Sequence, residues 1–183
     1  NEVSLVQTGT AATFDAGSSS LQLLQNLTLQ SNSELVFQSL DLNSRELTLA
    51  NETSDLSLKN QLILDEASEK IITGAADLKL EGGIQMSAGE ITSTGGKITL
   101  SETSPNLFQN DAVLELLNTN LESAGSGDSI LTLDGEPNLS MNGGSITRIT
   151  LERTEGTFGT ISTRERVTCI ASCQGFDETG SYG

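Results

Sequence analysis

Apolar residues along this chain come in short bursts in which every second position is apolar. The stretch RELTLANETSDLSLKNQLIL, residues 45–64, contains three such bursts: Leu47 and Leu49, Leu56 and Leu58, Leu62 and Leu64. A period of two places both members of a pair on one face of a β-strand, whereas a helix needs apolar residues three and four positions apart. The pattern therefore predicts many short strands and no long helix.

The intervals between bursts are rich in Asn, Ser, Thr, Asp and Gly, in clusters such as NETSD, EGG, STGG and NGGS. These residues favour the tight turns and left-handed conformations that corners require. The bursts also recur more often than the roughly 8–12-residue spacing of strands in a β-sandwich. Closely spaced strands joined by corners favour a coil of strands over a sandwich.

A longer repeat supports the coil. Apolar residues form two rows with members 20 to 26 residues apart, one of Leu40, Leu62, Ile84, Leu107 and Leu131, the other of Leu27, Leu47, Ile71, Ile91, Val113 and Leu139. Such rows are typical of a right-handed parallel β-helix, in which like residues stack at the ~4.7–4.9 Å strand spacing. We predict an all-β solenoid of about six rungs, with Leu49, Leu64, Ile84 and Leu131 pointing inward. An antiparallel β-sandwich or jelly roll is the alternative fold.

Three segments follow from this prediction. Residues 21–151 form the β-solenoid, residues 1–20 an N-terminal cap or exchanged strand, and residues 152–183 a β-rich C-terminal cap. A solenoid leaves unpaired strand edges at both ends, so either the caps or another subunit must cover them.

The surface is strongly acidic. Nine basic residues against 25 acidic ones give a formal charge of −16, which repels phosphate backbones and anionic membranes. No apolar run approaches the ~18 residues of a membrane span. We therefore expect no nucleic-acid partner and no membrane insertion. Because the chain begins at Asn1 rather than Met, we expect a processed, secreted or cell-surface protein.

The two cysteines, Cys169 and Cys173, lie near the C-terminus. The chain has no His and no further Cys, so a zinc site would lack its usual ligands. A disulfide in an oxidising compartment is the favoured interpretation, and it requires a turn between the two residues.

The chain offers little for catalysis. Without His, Ser-His and Cys-His nucleophile pairs are excluded, and the adjacent carboxylates Asp65 and Glu66 would point to opposite faces of a strand. We assign no catalytic residue, no cofactor and no metal ligand, and expect a protein that is not an enzyme. The sequons at Asn26, Asn51 and Asn138 are no more than chance would supply, and glycosylation stays open.

The segment LKLEGGIQMSAGEITSTGGKITL, residues 78–100, has glycine pairs at corners with I-x-M and I-T-L strands between them. In this it resembles the β-helical stretches of filamentous-haemagglutinin-type exoproteins and autotransporter passengers. The resemblance is one of pattern, covers residues 21–151, and carries over no functional residue. It implies a secreted or cell-surface protein that serves in adhesion or fibre building, although family members are usually far longer.

We therefore expect a non-enzymatic, extracellular structural or adhesive protein that self-associates into a filament or surface layer. The alternatives are a polysaccharide-active β-helix enzyme and a passive module of a larger adhesin, toxin or phage fibre. The expected partner is another copy, and a cell-surface ligand stays unidentified. Head-to-tail contact would join basic residues of the C-terminal part to acidic ones near the N-terminus: Arg148, Arg153, Arg164 and Arg166 to Glu2 and Asp15.

Overall fold

The computed structural model describes the backbone of residues 3–6, 14–15, 18–30, 34–153, 161–163 and 168–170, and the side chains of residues 18–30 and 34–152. Every regular element in these ranges is a β-strand, and no helix occurs among them. The strands are short, as the bursts of alternating apolar residues predict.

The strands form three faces. Sheet A contains, in order, β1 (Val3–Val6), β4 (Leu27–Gln30), β7 (Glu46–Leu49), β10 (Lys70–Gly74), β13 (Glu90–Ser93), β16 (Val113–Leu117), β19 (Asn138–Asn142) and β22 (Ile161–Thr163). Sheet B contains β2 (Phe14–Asp15), β5 (Leu35–Phe37), β8 (Leu56–Leu58), β11 (Leu78–Leu80), β14 (Lys97–Leu100), β17 (Asn120–Ser123), β20 (Ser145–Thr147) and β23 (Thr168–Ile170).

The third face is divided. Sheet C contains β9 (Leu62–Leu64), β12 (Ile84–Met86), β15 (Asn106–Gln109), β18 (Ser129–Asp134) and β21 (Ile149–Arg153). At its N-terminal side, β3 (Ser20–Gln22) pairs only with β6 (Ser39–Asp41).

Consecutive strands visit the three faces in turn, and each strand pairs in parallel with the strand one turn earlier and one turn later. Complete turns run from β4 at Leu27 to β21 at Arg153, with β1–β3 stacked before them and β22 and β23 after them. The chain is thus a parallel β-solenoid of about six turns, as the spacing of the bursts predicts. The antiparallel sandwich is wrong, because the pairings are parallel.

The core lies inside the coil and is built from stacked aliphatic side chains. Leu49, Leu64, Ile84 and Leu131 are all buried, with exposed fractions between 0 and 2%. The prediction that they point inward is confirmed. Burial of such side chains is the main favourable term that stabilises a fold with few aromatic residues.

Two members of the predicted rows are wrong. Ile91 pairs with Leu114 rather than with Val113, and Ile84 pairs with Asn106 rather than with Leu107. Both errors fall on consecutive strands, β15 and β16, and both are slips of one residue, which moves a side chain to the opposite face of its strand. A polar residue at an inward position, Asn106, hid the register there.

Asn106 is 2% exposed and is accommodated inside the coil by hydrogen bonds. Its Nδ2 donates to the carbonyl oxygens of Ser101 at 2.9 Å, Ser104 at 3.3 Å and Ile130 at 3.0 Å. The Nδ2 group therefore ties the corner that precedes β15 to the next turn, which offsets part of the cost of burying the amide, since its Oδ1 is buried without a hydrogen-bond partner.

Some corners leave no room for a side chain. A Cβ on Gly144, whose φ is +83°, would lie 2.1 Å from the carbonyl oxygen of Thr119 in the preceding turn. A Cβ on Gly83, at φ +81°, would lie 2.2 Å from the oxygen of Pro105 in the following turn. Glycine at these corners lets successive turns approach closely.

Candidate functional site

The two ends of the coil are the first candidate site. In the described part of the chain, β1 and β2 pair only with β4 and β5, while β22 and β23 pair only with β19 and β20. A strand with one neighbour leaves half of its backbone N–H and C=O groups free to pair with another chain.

The register rows continue through both ends. In sheet A, Val3 pairs with Leu27 at one end and Ile161 pairs with Leu139 at the other, and both belong to one register row whose described side chains are buried. The adjacent register row begins at Ser4 and ends at Ser162. The two ends therefore present the same kinds of residue at equivalent register positions.

The predicted assembly residues that the structure describes lie at opposite ends. Asp15 is in β2, the first strand of sheet B, where it pairs with Val36. Arg153 is in β21, in the last complete turn, where it pairs with Leu133. Glu2, Arg164 and Arg166 lie outside the described residues, so their part in assembly stays a prediction.

Arg148 is the single residue between β20 and β21, and its φ of 53° makes the sharp corner. Its Nη2 donates to the carbonyl oxygen of Ser123 in the preceding turn, at 3.5 Å, and its Nε is buried without a hydrogen-bond partner. The side chain is thus only partly available to a neighbouring copy.

The predicted disulfide is described at one of its two positions. Cys169 lies in β23, opposite Ile146. Cys173 lies outside the described residues, so the pairing stays a prediction.

A second candidate site, missed by sequence reasoning, is a ladder of ion pairs on the outer face of sheet B. Lys79 in β11 contacts Glu34, two turns away, with 2.7 Å between Nζ and Oε1. Ser57, on the strand between them, donates its hydroxyl to the same carboxylate. The bridge therefore ties three successive turns together.

Further pairs extend the ladder. Lys59 contacts Glu81 at 2.6 Å, and Lys97 contacts Glu122 at 3.1 Å. The chain has four lysines, and the remaining one, Lys70, pairs with Glu90 at 2.7 Å on sheet A. Every lysine is thus paired with a carboxylate on another turn.

These contacts shift the ionisation of the groups involved. The hydrogen bond from Lys79, followed by that from Ser57, lowers the pKa of Glu34, and the same contact raises the pKa of Lys79. On sheet A, the Lys70 hydrogen bond lowers the pKa of Glu90. The Lys79–Glu34 and Lys70–Glu90 pairs are therefore held in their ionised forms.

The pKa of Asp77 shifts in the opposite direction from the pKa of Glu34. Burial, followed by repulsion from Asp55, raises the pKa of Asp77. Asp55 stacks directly below it and accepts a hydrogen bond of 2.9 Å from the backbone N–H of Asp77. The two carboxylates are neighbours because both precede strands of sheet B at equivalent positions.

A buried carboxylate stabilises the corner that follows β9. Glu69 is buried, and its Oε2 accepts the backbone N–H groups of Asp65 at 2.9 Å and Glu66 at 3.3 Å.

In the described ranges, no group of three or more Cys, Asp or Glu is placed to hold a metal ion. No helix there is long and apolar enough to cross a membrane.

The sequons differ in exposure. Asn26 and Asn138 are exposed and precede or begin strands of sheet A. Asn51 is half-buried, and its Oδ1 accepts the hydroxyls of Thr53, at 3.4 Å, and Ser54. Glycosylation at these positions stays open.

The chain matches no family model, and neither a curated protein nor a solved structure shows significant similarity to it. Function must therefore be argued from the ends of the coil and from the polar face of sheet B.

Proposed function

We propose that this protein is a structural and adhesive β-solenoid subunit, secreted or at the cell surface, that joins copies of itself end to end into a filament. The observation that carries the proposal is the pair of open, parallel strand edges that bound sheets A and B in the described part of the chain.

The geometry of the ends favours propagation. A parallel coil has two different ends, so the contact between the first edge of one copy and the last edge of the next is heterologous and stays open to a third copy. Strand addition there would supply backbone hydrogen bonds, as in other β-augmented assemblies. Continued register would bring Ser4 beside Ser162 and Val3 beside Ile161 of the neighbour.

Charge supports the same orientation. Asp15 lies at the first end, whereas Arg148 and Arg153 lie in the last complete turn. Opposite charges at the two ends steer a head-to-tail encounter and disfavour a head-to-head one. The acidic remainder of the surface disfavours lateral clumping, nucleic acid and anionic membranes.

The test places charges at the proposed joint. The variant Ser4→Glu with Ser162→Glu sets like charges about one strand spacing apart, ~4.8 Å, and should abolish filaments. Ser4→Glu with Ser162→Lys should restore them. Sedimentation velocity and negative-stain microscopy measure assembly, and circular dichroism checks that each variant keeps its β-structure.

A control places a like-charged pair one turn inward. Thr28→Lys with Ser140→Lys uses the same register row, sets the new Lys of position 140 beside Glu115, and leaves the two charges three strand spacings apart across the joint, ~14 Å, where salt screens them. This control should assemble normally. Filaments from the Ser4/Ser162 double-Glu variant, or uniform monomers of the parent protein at high concentration, would refute the proposal.

Deleting residues 1–15 is a weaker test. Because β1 and β2 are strands of sheets A and B, their removal would leave β4 and β5 as new edges of the same kind. A truncated protein that still assembles would therefore not locate the joint.

A further inference from the structure

The outer face of sheet B carries a groove of about 510 Å³ across strands β11, β14 and β17. Its floor is formed by Lys79, Thr99 and Glu122, which occupy one register row. Corner segments 101–103 and 124–125 form its wall. The volume falls within the roughly 300–1,000 Å³ of ligand-binding clefts.

The backbone under the groove is closed to a peptide strand. Strand β11 pairs with β8 and β14, and β17 pairs with β14 and β20. Their N–H and C=O groups are used within the sheet, so a ligand must be recognised by side chains alone.

Most charges in the groove are already paired, and the exception is Glu102, whose Oε1 accepts the backbone N–H of Gly127 at 3.2 Å. Lys79 is paired with Glu34, Lys97 with Glu122, and Glu81 with Lys59. A charged ligand would have to compete with these pairs, and the lining carries slightly more carboxylates than ammonium groups, which disfavours polyanions. Each ammonium still has N–H donors to spare and each carboxylate has free lone pairs.

Neutral hydroxyl groups can use both kinds of site without breaking an ion pair. The groove also offers the hydroxyls of Thr99 and Thr103, which donate and accept, whereas the Ser101 hydroxyl is buried and accepts the backbone N–H of Ser104 at 3.0 Å. Donors and acceptors repeat along the coil at the ~4.8 Å strand spacing, close to the advance per ring of an extended glycan.

We propose that this groove binds a neutral, hydroxyl-rich glycan chain lying along the solenoid axis. This deepens the adhesive role and rests on the proposed function for its biological meaning. The described residues that line the groove include no aromatic side chain, so a single groove binds weakly. Repetition of the groove along a filament raises the overall avidity.

The test fills the groove without touching an ion pair. Ala124 is exposed, follows β17 directly, and donates its backbone N–H to Leu100 of the preceding turn at 2.9 Å. Ala50 is its counterpart outside the groove: exposed, directly after β7, with its N–H on the oxygen of Leu29 at 2.8 Å. Ala124→Trp and Ala50→Trp are thus matched variants.

Cellohexaose, mannohexaose and xylohexaose are titrated into the full chain by NMR, with a heparin hexasaccharide and a mixed-sequence peptide library as comparisons. At least one neutral hexasaccharide should shift the amide signals of Lys79, Thr99 and Gly125. Ala124→Trp should weaken that binding about tenfold or more, ~1.4 kcal/mol, while Ala50→Trp leaves it unchanged.

No saturable binding of any neutral hexasaccharide, equal binding by both variants, or preferential binding of heparin or peptide would overturn the inference. Sedimentation of the same samples separates the two proposals. Filaments without glycan binding refute this inference alone, whereas glycan binding by a protein that never assembles supports it and refutes self-association.

Discussion

At the residue scale, neighbouring residues of one strand lie alternately in the core and on the surface. In β9, Leu64 is fully buried whereas its neighbour Ile63 is 51% exposed. The two side chains are similar in size and chemistry, and only the alternation of the strand sends them to opposite faces.

This contrast gives a direct test of the inward register. Leu64→Ala should lower the free energy of unfolding by ~2–5 kcal/mol, because it removes buried contacts and leaves a cavity. Ile63→Ala, on the same strand, should change it by no more than ~0.5 kcal/mol. Urea unfolding measures both, and equal costs would show that the assigned faces are wrong.

At the scale of strands and sheets, contacts between turns hold the coil together. Backbone pairing links each turn to the next, and the Glu34–Lys79 bridge spans two turns with Ser57 between them. Such partly exposed pairs contribute modestly, roughly 0.2–1 kcal/mol each. Their effect is best detected through pH.

Glu34 contributes stability that depends on its ionisation. Since its pKa in the folded protein lies below the ordinary value of 4.5, the contribution is present above that value and is lost as pH falls through the folded pKa. Glu34→Gln should therefore lower the free energy of unfolding at pH 7 by ~0.2–1 kcal/mol and have little effect in strong acid. Urea unfolding at the two extremes measures the difference.

Asp77 provides the comparison of opposite sign. Its pKa is raised above the ordinary 3.8 by burial and by Asp55, so its ionised form costs stability at neutral pH, and this cost shrinks as the pH falls through the raised pKa and is gone below 3.8. Asp77→Asn should therefore stabilise the protein at pH 7 and not in strong acid. The same sign for both variants would contradict the electrostatics assigned to this face.

At the scale of the whole molecule, the coil is nearly one-dimensional. Each turn contacts its neighbours through the same three faces, so stability is approximately a sum over turns and their interfaces. One turn should therefore be removable if the rows on either side remain aligned.

The register defines such a deletion. Ile84 pairs with Asn106 and Gln85 with Leu107, so removal of residues 85–106 joins Ile84 to Leu107 and keeps Ile84 beside Leu62 in the same rows. This deletion also removes the buried Asn106 together with its partners Ser101 and Ser104. The shortened chain should keep its β-sheet circular dichroism and unfold cooperatively. Removal of residues 85–95 alone is the control, and it should abolish folding because the faces no longer align. Equal behaviour of the two deletions would contradict a turn-by-turn coil.

Much of this architecture is readable from the order of residues. Leu47, Leu49, Leu62 and Leu64 reveal strands because alternation is a local property, and rows such as Leu27, Leu47, Ile71 and Ile91 reveal turns because equivalent positions must bury similar side chains. The opposite placement of Asp15 and Arg153 follows from chain order once the fold is a coil.

The groove and the ladder were not readable in this way. Lys79, Thr99 and Glu122 differ in type and lie far apart in sequence, so no pattern links them until the register is known. In the strand that begins with Val113 and Leu114, each phase starts with an apolar residue, so Val113 could be taken for the inward one.

The sequence by itself therefore determined that this protein is a coil of short strands, because strand alternation and tight-turn residues act over a few positions. Only the tertiary structure decided which residues of each turn stand side by side. That choice depends on corner length and on whether a polar side chain such as Asn106 finds acceptors for its N–H groups inside. Both are set by the neighbouring turns rather than by adjacent residues.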